Sequence, residues 1–339
     1  MSTNITFPKV SIIVPTHNSA TTVIKCLQSL VMQNYPIAEI IVVDNSSKDN
    51  TIELVKDFSK KRKSLIKIIE RKKNMGVGSS YNAGVQKAKS QLVIFLHSDS
   101  CPKTKNELKK LVTPVLSSQN IVASYPTAIV PRDVWDSYNF WQKYRFTRLL
   151  GKEVGFNAKF DCIRKDIFLK VGGFDEKRFA RDEAIGGEDA DLYLRLKKEG
   201  ELVLSTAEVI HYHYLGTQYS LKDHFKTRKM LARTYGRLLR VQGRSLPISS
   251  KGKGLQIPFG VLLFLVKPTL AILPFIPGMT SVGLSLLVIY AFLNAKTLYT
   301  TQSTLRDPRI FLVPFIDIFL VYYETFWMIQ AFIFTKKKV

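Results

Sequence analysis

The chain is poor in cysteine: Cys26, Cys101 and Cys162 lie far apart in 339 residues and form no C-x-x-C pair. Such spacing excludes the usual structural zinc patterns and a disulfide framework, so a reducing compartment is the expectation. The N-terminus, MSTNITFPKVSIIVPTHN, lacks a basic segment followed by a long apolar core and does not read as a signal peptide. Acid is scarce as well. Fifty Lys and Arg stand against 27 Asp and Glu, a net charge of +23. An excess of that size calls for an anionic partner (nucleic acid, an anionic membrane surface or a phosphorylated substrate) unless it is only a solvated basic surface. No nucleic-acid motif accompanies the charge, so nucleic acid is not an expected partner.

Long apolar runs are missing from the first 250 residues and crowd into the rest. Mean hydropathy is +0.01 although 23% of residues are charged, too apolar for an ordinary soluble enzyme. Stretches 257–276, 278–295 and 310–334 each approach the ~20 residues that span a hydrocarbon core. Lys267, Pro268 and Pro274 interrupt the first, and Asp317 and Glu324 the last; such charges are costly unless they face protein or water. Just ahead lies a basic amphipathic segment, 220–244. Lys222, Lys226, Arg228, Lys229, Arg233, Arg237 and Arg240 alternate there with Leu221, Phe225, Leu231, Tyr235, Leu238 and Leu239. It suits a helix on anionic headgroups, or else an ordinary surface helix packed on the preceding domain.

The expected division is a catalytic domain over 1–219, an interfacial segment over 220–250 and a transmembrane helical region over 251–339 with two to three spans. Positive charge favours the cytoplasm for the N-terminal domain, for Lys296, Arg306 and Arg309, and for Lys336–Lys338. Three full crossings cannot put all of these on one side. The expected location is the cell membrane, as an integral protein with its catalytic domain on the cytoplasmic side.

In the front part, short β-branched runs alternate with helical periodicity. VSIIVP at 10–15, EIIVVD at 39–44, IKIIE at 66–70 and QLVIFLHSDS at 91–100 read as strands, with helices between them. This pattern predicts an α/β fold with ligands beyond the carboxyl ends of the strands, at Pro15–Asn18, Asp44–Ser47, Arg71–Gly78 and His97–Ser100. An aromatic and basic stretch follows at 121–153. GGEDADLYLRLKKEG then reads as a helix with acids in its first turn and Gly200 at its end.

The motifs SIIVPTHN, IIVVDNSSKDNT, NMGVGSSYNAG, FLHSDS, VGGFDE and GGEDADLYLRL stand in that order. Together they resemble the family 2 glycosyltransferases, over roughly residues 9–240. The resemblance implies a GT-A fold, a mixed sheet flanked by helices, ahead of the membrane region. It implies that Pro15, Thr16 and Asn18 line a nucleotide pocket and that Asp44 accepts hydrogen bonds from the base. A carboxylate at a strand end suits N–H and O–H donors, although it would equally serve as a turn acid. Arg71, Asn74, Gly76, Asn82 and Gly84 fall in the stretch similar to the family's donor-binding segment, where Gly76 and Gly78 permit tight turns.

HSDS at 97–100 stands where the family has a D-x-D-like motif, and the resemblance implies that Asp99 binds a divalent metal, Mg²⁺ or Mn²⁺, on the donor diphosphate. His97 departs from the family's first acid. That position faces the sugar nucleotide more than the metal, with Ser98 beside it, and an imidazole ligand would favour Mn²⁺. A family histidine completing the metal site maps first to His213 and next to His211; along a strand both share one face. Asp189 matches the catalytic base, with Glu188 and Asp191 as neighbours.

The implied reaction is inverting transfer of a sugar from a nucleotide-diphosphate donor to a membrane-held, lipid-linked acceptor. A processive polysaccharide synthase is a variant, but the chain has no Arg-Trp pair of the kind such synthases carry after the base. A catalytically silent membrane scaffold is the alternative from another class, and His97 is the feature in its favour.

Overall fold

The computed structural model describes residues 7–60, 62, 65–146, 151–177, 188–212, 218–242, 249–250, 255–256 and 259–335. The chain divides into two compact units: Met1–Asp136, Leu150–Asp182 and Glu188–Gly216 form the first; Ser137–Leu149, Glu183–Gly187 and Thr217–Val339 form the second. The aromatic stretch from Ser137 thus groups with the C-terminal helices.

The first unit is built on β1 (Val10–Thr16), β2 (Ile37–Asp44), β3 (Ile66–Glu70), β4 (Leu92–Leu96), β5 (Ser100–Pro102), β6 (Ile121–Val130), β7 (Gly151–Val154), β8 (Phe160–Arg164) and β9 (Glu201–His211). The sheet order is β3-β2-β1-β4-β8-β6-β9-β5, with β7 on β6. The β1, β2, β3 and β4 strands are parallel, as the alternation of strand and helix dictates; β8 and β5 run against their neighbours, so the sheet is mixed. Helices α1 (Val23–Val31), α2 (Thr51–Ser59), α3 (Val77–Lys87), α4 (Glu107–Ser117), α5 (Arg132–Ser137), α7 (Lys165–Lys170) and α8 (Glu188–Leu196) complete it.

Because side chains alternate along a strand, β1 feeds two cores. Ile12 and Val14 join Leu27, Leu30, Val55 and Leu111 on one face of the sheet. Ile13 joins Tyr81, Phe95, Phe168, Phe174 and Leu192 on the other. Strands buried on both faces read as continuous apolar runs, which is why β1, β2 and β4 were visible in the sequence. Gly84 lets α3 settle on β1: a Cβ there would stand 2.4 Å from Ile13.

The second unit holds α6 (Phe140–Arg145), α9 (Leu221–Gln242), α10 (Phe259–Ile272), α11 (Thr280–Asn294), α12 (Lys296–Thr300), α13 (Gln302–Leu305) and α14 (Val313–Phe334). Asn139 starts α6 with a reciprocal capping box to Gln142. The α9 and α14 helices run side by side in the same direction. Phe225 meets Phe319 and Tyr323, Arg228 pairs with Glu324 at 2.5 Å, and Arg240 lies over Phe332. The residues that α9 buries are His224, Thr227, Ala232, Thr234, Gly236 and Leu238; of the larger apolar residues of the segment, Leu238 is among them, while Leu221, Phe225, Leu231, Tyr235 and Leu239 are half-buried.

Close approach explains the glycine among them. A Cβ on Gly236 would come within 2.1 Å of the Met328 carbonyl oxygen. Alanine ordinarily gains about 1 kcal/mol over glycine inside a helix. Here overpacking, about 1–3 kcal/mol, opposes and exceeds that gain because the clash is with backbone. Gly236→Ala is expected to lower the melting temperature of the detergent-solubilised protein, and an unchanged or higher value would contradict the packing.

Among the described residues one helix, Pro308–Phe334, is long and apolar enough to cross a membrane; Val266–Phe275 and Thr280–Asn294 are apolar but shorter. The charges that interrupt these stretches face protein. Glu324 takes both Arg228 and Lys267, while Asp317 accepts from Tyr144 Oη at 2.9 Å and Asn294 Nδ2 at 2.6 Å.

Candidate active site

The carboxyl ends of β1, β2 and β4 carry the expected loops. Pro15 and Thr16 end β1 opposite Val43 and Asp44 of β2. Thr16 Oγ1 donates to Asp44 Oδ1 at 2.9 Å, and Ser47 donates its N–H to Oδ2 (2.9 Å) and its hydroxyl to Oδ1 (2.5 Å). Asp44 is therefore the buried organiser of its own turn as well as a carboxylate at the strand end. Asn18, at φ +51°, receives the Lys48 N–H on its side-chain oxygen (2.8 Å), and its own N–H reaches Ser47 Oγ (2.9 Å). These bonds knit the two loops into one wall.

Asn74 and Gly76 extend that wall. Asn45 donates to Asn74 Oδ1 at 2.6 Å and accepts from the Met75 N–H at 2.9 Å; Gly76, at φ +83°, opens α3. Arg71 and Asn82 are placed differently. They line a cavity of about 320 Å³ with Ser79, Gln86, Gly173 and Glu176. Asn82 donates to the Phe174 carbonyl and to Glu176 and accepts the Phe174 N–H, while Arg71 donates to Ser79. Asn82 thus fixes the VGGFD turn on α3, a tie between residues 92 apart that the sequence does not display.

A register pairing assembles the central cluster. The short β5 runs against the end of β9, so Ser100 stands opposite His211, and the Tyr212 N–H reaches the Asp99 carbonyl at 2.8 Å. His211 Nε2 lies 3.3 Å and His97 Nδ1 3.9 Å from Asp99 Oδ1. One donor atom from each of His97, Asp99 and His211 falls within 4.8 Å of the others. Two imidazole nitrogens and a carboxylate oxygen are a donor set that fits a divalent first-row cation, and imidazole shifts the balance from Mg²⁺ towards Mn²⁺. His97 belongs to this group by position rather than to a ribose contact alone. Of the paired histidines, His211 occupies it; His213 lies outside the described residues. Ser98 meets Ser19, hydroxyl to hydroxyl, at 2.9 Å.

The three acids of the first turn of α8 separate in role. Asp191 is buried and holds Arg195 at 2.6 Å, and Arg195 also donates to the carbonyls of Val171 and Gly173. It braces the VGGFD turn. Glu188 is half-buried with its Oε2 sealed from solvent, and desolvation together with the charge of Asp189 pushes its carboxyl well above the usual range. Asp189 is partly exposed, its Oδ1 accepting the Ala190 N–H at 2.8 Å.

Asp161, on β8, was not singled out in the sequence. It is fully buried, its Oδ2 accepts the N–H groups of Asn157 (3.1 Å) and Ala158 (2.6 Å), and burial pushes its pKa up to about 8. Those N–H groups pull the other way, and the charge of Asp189 adds to the rise. An acid inside the apolar strand FDCIR was the available signal. Because the folded-state pKa is above the unfolded value of 3.8, the fold has its full stability below that value and loses it as pH rises through 8. Asp161→Asn keeps an acceptor for both N–H groups and removes the titration. The variant should be more stable than wild type at pH 9, by on the order of a few kcal/mol and so with a higher melting temperature, with little difference at pH 4. Equal pH dependence of melting in the two proteins would refute the assignment.

Residues 11–172 match the family described as Glycosyl transferase family 2. Glycosyltransferase AglE of Haloferax volcanii is 28% identical over 218 residues, 61% of this chain and 67% of the relative. The dolichyl N-acetyl-α-D-glucosaminyl phosphate 3-β-D-2,3-diacetamido-2,3-dideoxy-β-D-glucuronosyltransferase of Methanococcus voltae is 26% identical over 243 residues, 64% of this chain and 70% of the relative. Other curated relatives are matched over less than half of their own length. The fold is similar to the mannosyltransferase PcManGT from Pyrobaculum calidifontis, solved with GDP-Man and Mn²⁺: TM-score 0.59, 16% identity, 95% of this chain and 88% of that one.

Proposed function

Because the chain is a glycosyltransferase whose residues 11–172 belong to family 2, we propose that it moves a sugar, with inversion, from a nucleotide-diphosphate donor to a lipid-linked acceptor at the membrane. The observation that carries this reading is the gathering of His97, Asp99 and His211, beside strand-end loops suited to a nucleotide. His97, Asp99 and His211 would hold a divalent cation on the donor diphosphate, with Mn²⁺ preferred. When bound, such an ion neutralises charge on the departing nucleoside diphosphate.

Pro15, Thr16, Asn18, Asp44 and Asn74 would hold the nucleotide: the loop wall is pre-ordered by its own hydrogen bonds, so little ordering is left to do on binding. Arg71 and Asn82 support this site through α3 and the VGGFD turn. Asp189 is the proposed base, taking the proton of an acceptor hydroxyl while the anomeric carbon is attacked from the face opposite the leaving group. Glu188 and Asp161, their pKa values raised, keep their protons near neutrality and so are poor candidates for the base. The lipid-linked acceptor is supported by the apolar C-terminal helices and by the dolichyl-linked substrate of the Methanococcus voltae relative. We place the catalytic unit on the cytoplasmic side.

The test is a screen of the purified chain against nucleotide sugars with Mn²⁺ or Mg²⁺ and membrane lipid extracts, read by mass. One donor should give a lipid product heavier by one sugar residue, with release of nucleoside diphosphate. Neither transfer nor hydrolysis with any donor would overturn the proposal.

A further inference from the structure

Composition alone lets α14 cross a bilayer, but its neighbour in the fold forbids it. From Phe319 to Thr335 the helix is flanked by α9, which runs in the same direction: Arg228 pairs with Glu324, Lys229 lies 3.7 Å over the Trp327 ring, and Arg240 Nε meets the Thr335 carbonyl at 3.4 Å. Along α9, Lys222, Lys226, Lys229, Arg233, Arg237 and Arg240 follow one another at intervals of three and four residues, the spacing of a single helical stripe. From Lys226 to Arg240 that stripe is about 21 Å long. Were α14 to cross a hydrocarbon layer ~30 Å thick, most of the stripe would be drawn inside with it, and strings of cations do not sit there.

Other faces of the bundle are apolar and bare. Phe311, Phe315, Phe326, Ile333 and Phe334 of the Pro308–Phe334 segment are exposed, as are Leu284, Ile289 and Leu293 of α11. The α10 helix with the 3-10 turn Leu273–Phe275 that continues it runs about 27 Å, and the 15 residues of α11 about 22 Å, both short of the ~30 Å hydrocarbon layer.

We propose that this helical unit is monotopic. It lies in one leaflet of an anionic bilayer, with α9 on the headgroups, α14 beside it in the interface and the bare faces of α14 and α11 in the acyl region, and no helix carries the chain to the far side. This arrangement removes the charge conflict of the sequence. The cations of α9 and the group Lys296, Arg306 and Arg309 then lie on one side, as positive charge favours, and the chain leaves α14 without having crossed. The proposal rests on the membrane attachment in the function proposed above and on none of its chemistry.

The test uses sealed inside-out vesicles from cells expressing the full chain. The native thiols, Cys26, Cys101 and Cys162, are all buried and give a low background. Met32→Cys on the first unit, Gln302→Cys and Val339→Cys are treated separately with a membrane-impermeant maleimide, before and after detergent. All three should label to the same extent without detergent. Labelling of Val339→Cys only after detergent would show a crossing and overturn the proposal while leaving membrane attachment intact. A chain that does not float with the vesicles would overturn the attachment itself, whether or not it transfers sugar.

Discussion

Asp99→Ala is expected to lower kcat on the order of 10²–10³-fold and to abolish stimulation by Mn²⁺, with the melting temperature near that of wild type. Asp99 is the middle member of its group: both histidines approach its Oδ1, and its backbone carbonyl takes the Tyr212 N–H. The substitution removes the only anionic ligand of the three while keeping the carbonyl that joins β5 to β9. His211→Ala should leave activity that needs at least about tenfold more Mn²⁺ for half-maximal rate, since a neutral ligand is lost from an otherwise intact set. His213→Ala supplies the comparison. A larger metal defect in that variant than in His211→Ala would reverse the assignment of the ligand. Wild-type Mn²⁺ dependence in Asp99→Ala would remove the metal reading altogether.

Asp189→Asn should cost about 10²–10⁴-fold in kcat, with the donor KM little changed and metal stimulation retained. That split distinguishes a base from a donor-binding group, because a residue acting only when the proton moves leaves ground-state binding in place. Asparagine still accepts the Ala190 N–H at the start of α8, so the helix should keep its first turn. A raised donor KM at unchanged kcat would instead make Asp189 a donor contact. The two protonated neighbours give an independent check: Asp161→Asn should retain transfer, since it stands in for a carboxyl that already carries its proton near neutral pH.

How much of this was visible beforehand depended on the range of the interaction. Strands β1, β2 and β4 announce themselves because each is a run of apolar residues buried on both faces, and the loops after them were placed by the α/β rule. The antiparallel half was not so legible. The three-residue β5 has no periodicity to read, and its register against β9, which selects His211, comes from pairing Ser100 with a residue 111 positions on. Asn82 and Asp191 sit inside motifs rich in polar residues, and nothing local says that one fixes the Phe174 turn and the other holds Arg195. Asp161 was hidden for the opposite reason, as a lone acid in an apolar strand whose burial is decided by both flanking strands. In the helical unit, charge pattern located the amphipathic segment but not its partner; the fit of Gly236 against Met328 is a matter of backbone distance.

The common direction of α9 and α14 has an electrostatic consequence of its own. Parallel helices bring their like-signed dipole ends together, so the carbonyl-rich ends near Arg240 and Thr335 concentrate partial negative charge at one place. Arg240 already reaches across to the last turn of the neighbouring helix, and Lys336–Lys338 follow directly in the chain. Arg240 then acts as a counter-charge to two dipoles at once, contributing about 0.3–1 kcal/mol at low ionic strength. Arg240→Ala should therefore fray α14 as well as α9, and added salt should mask the difference.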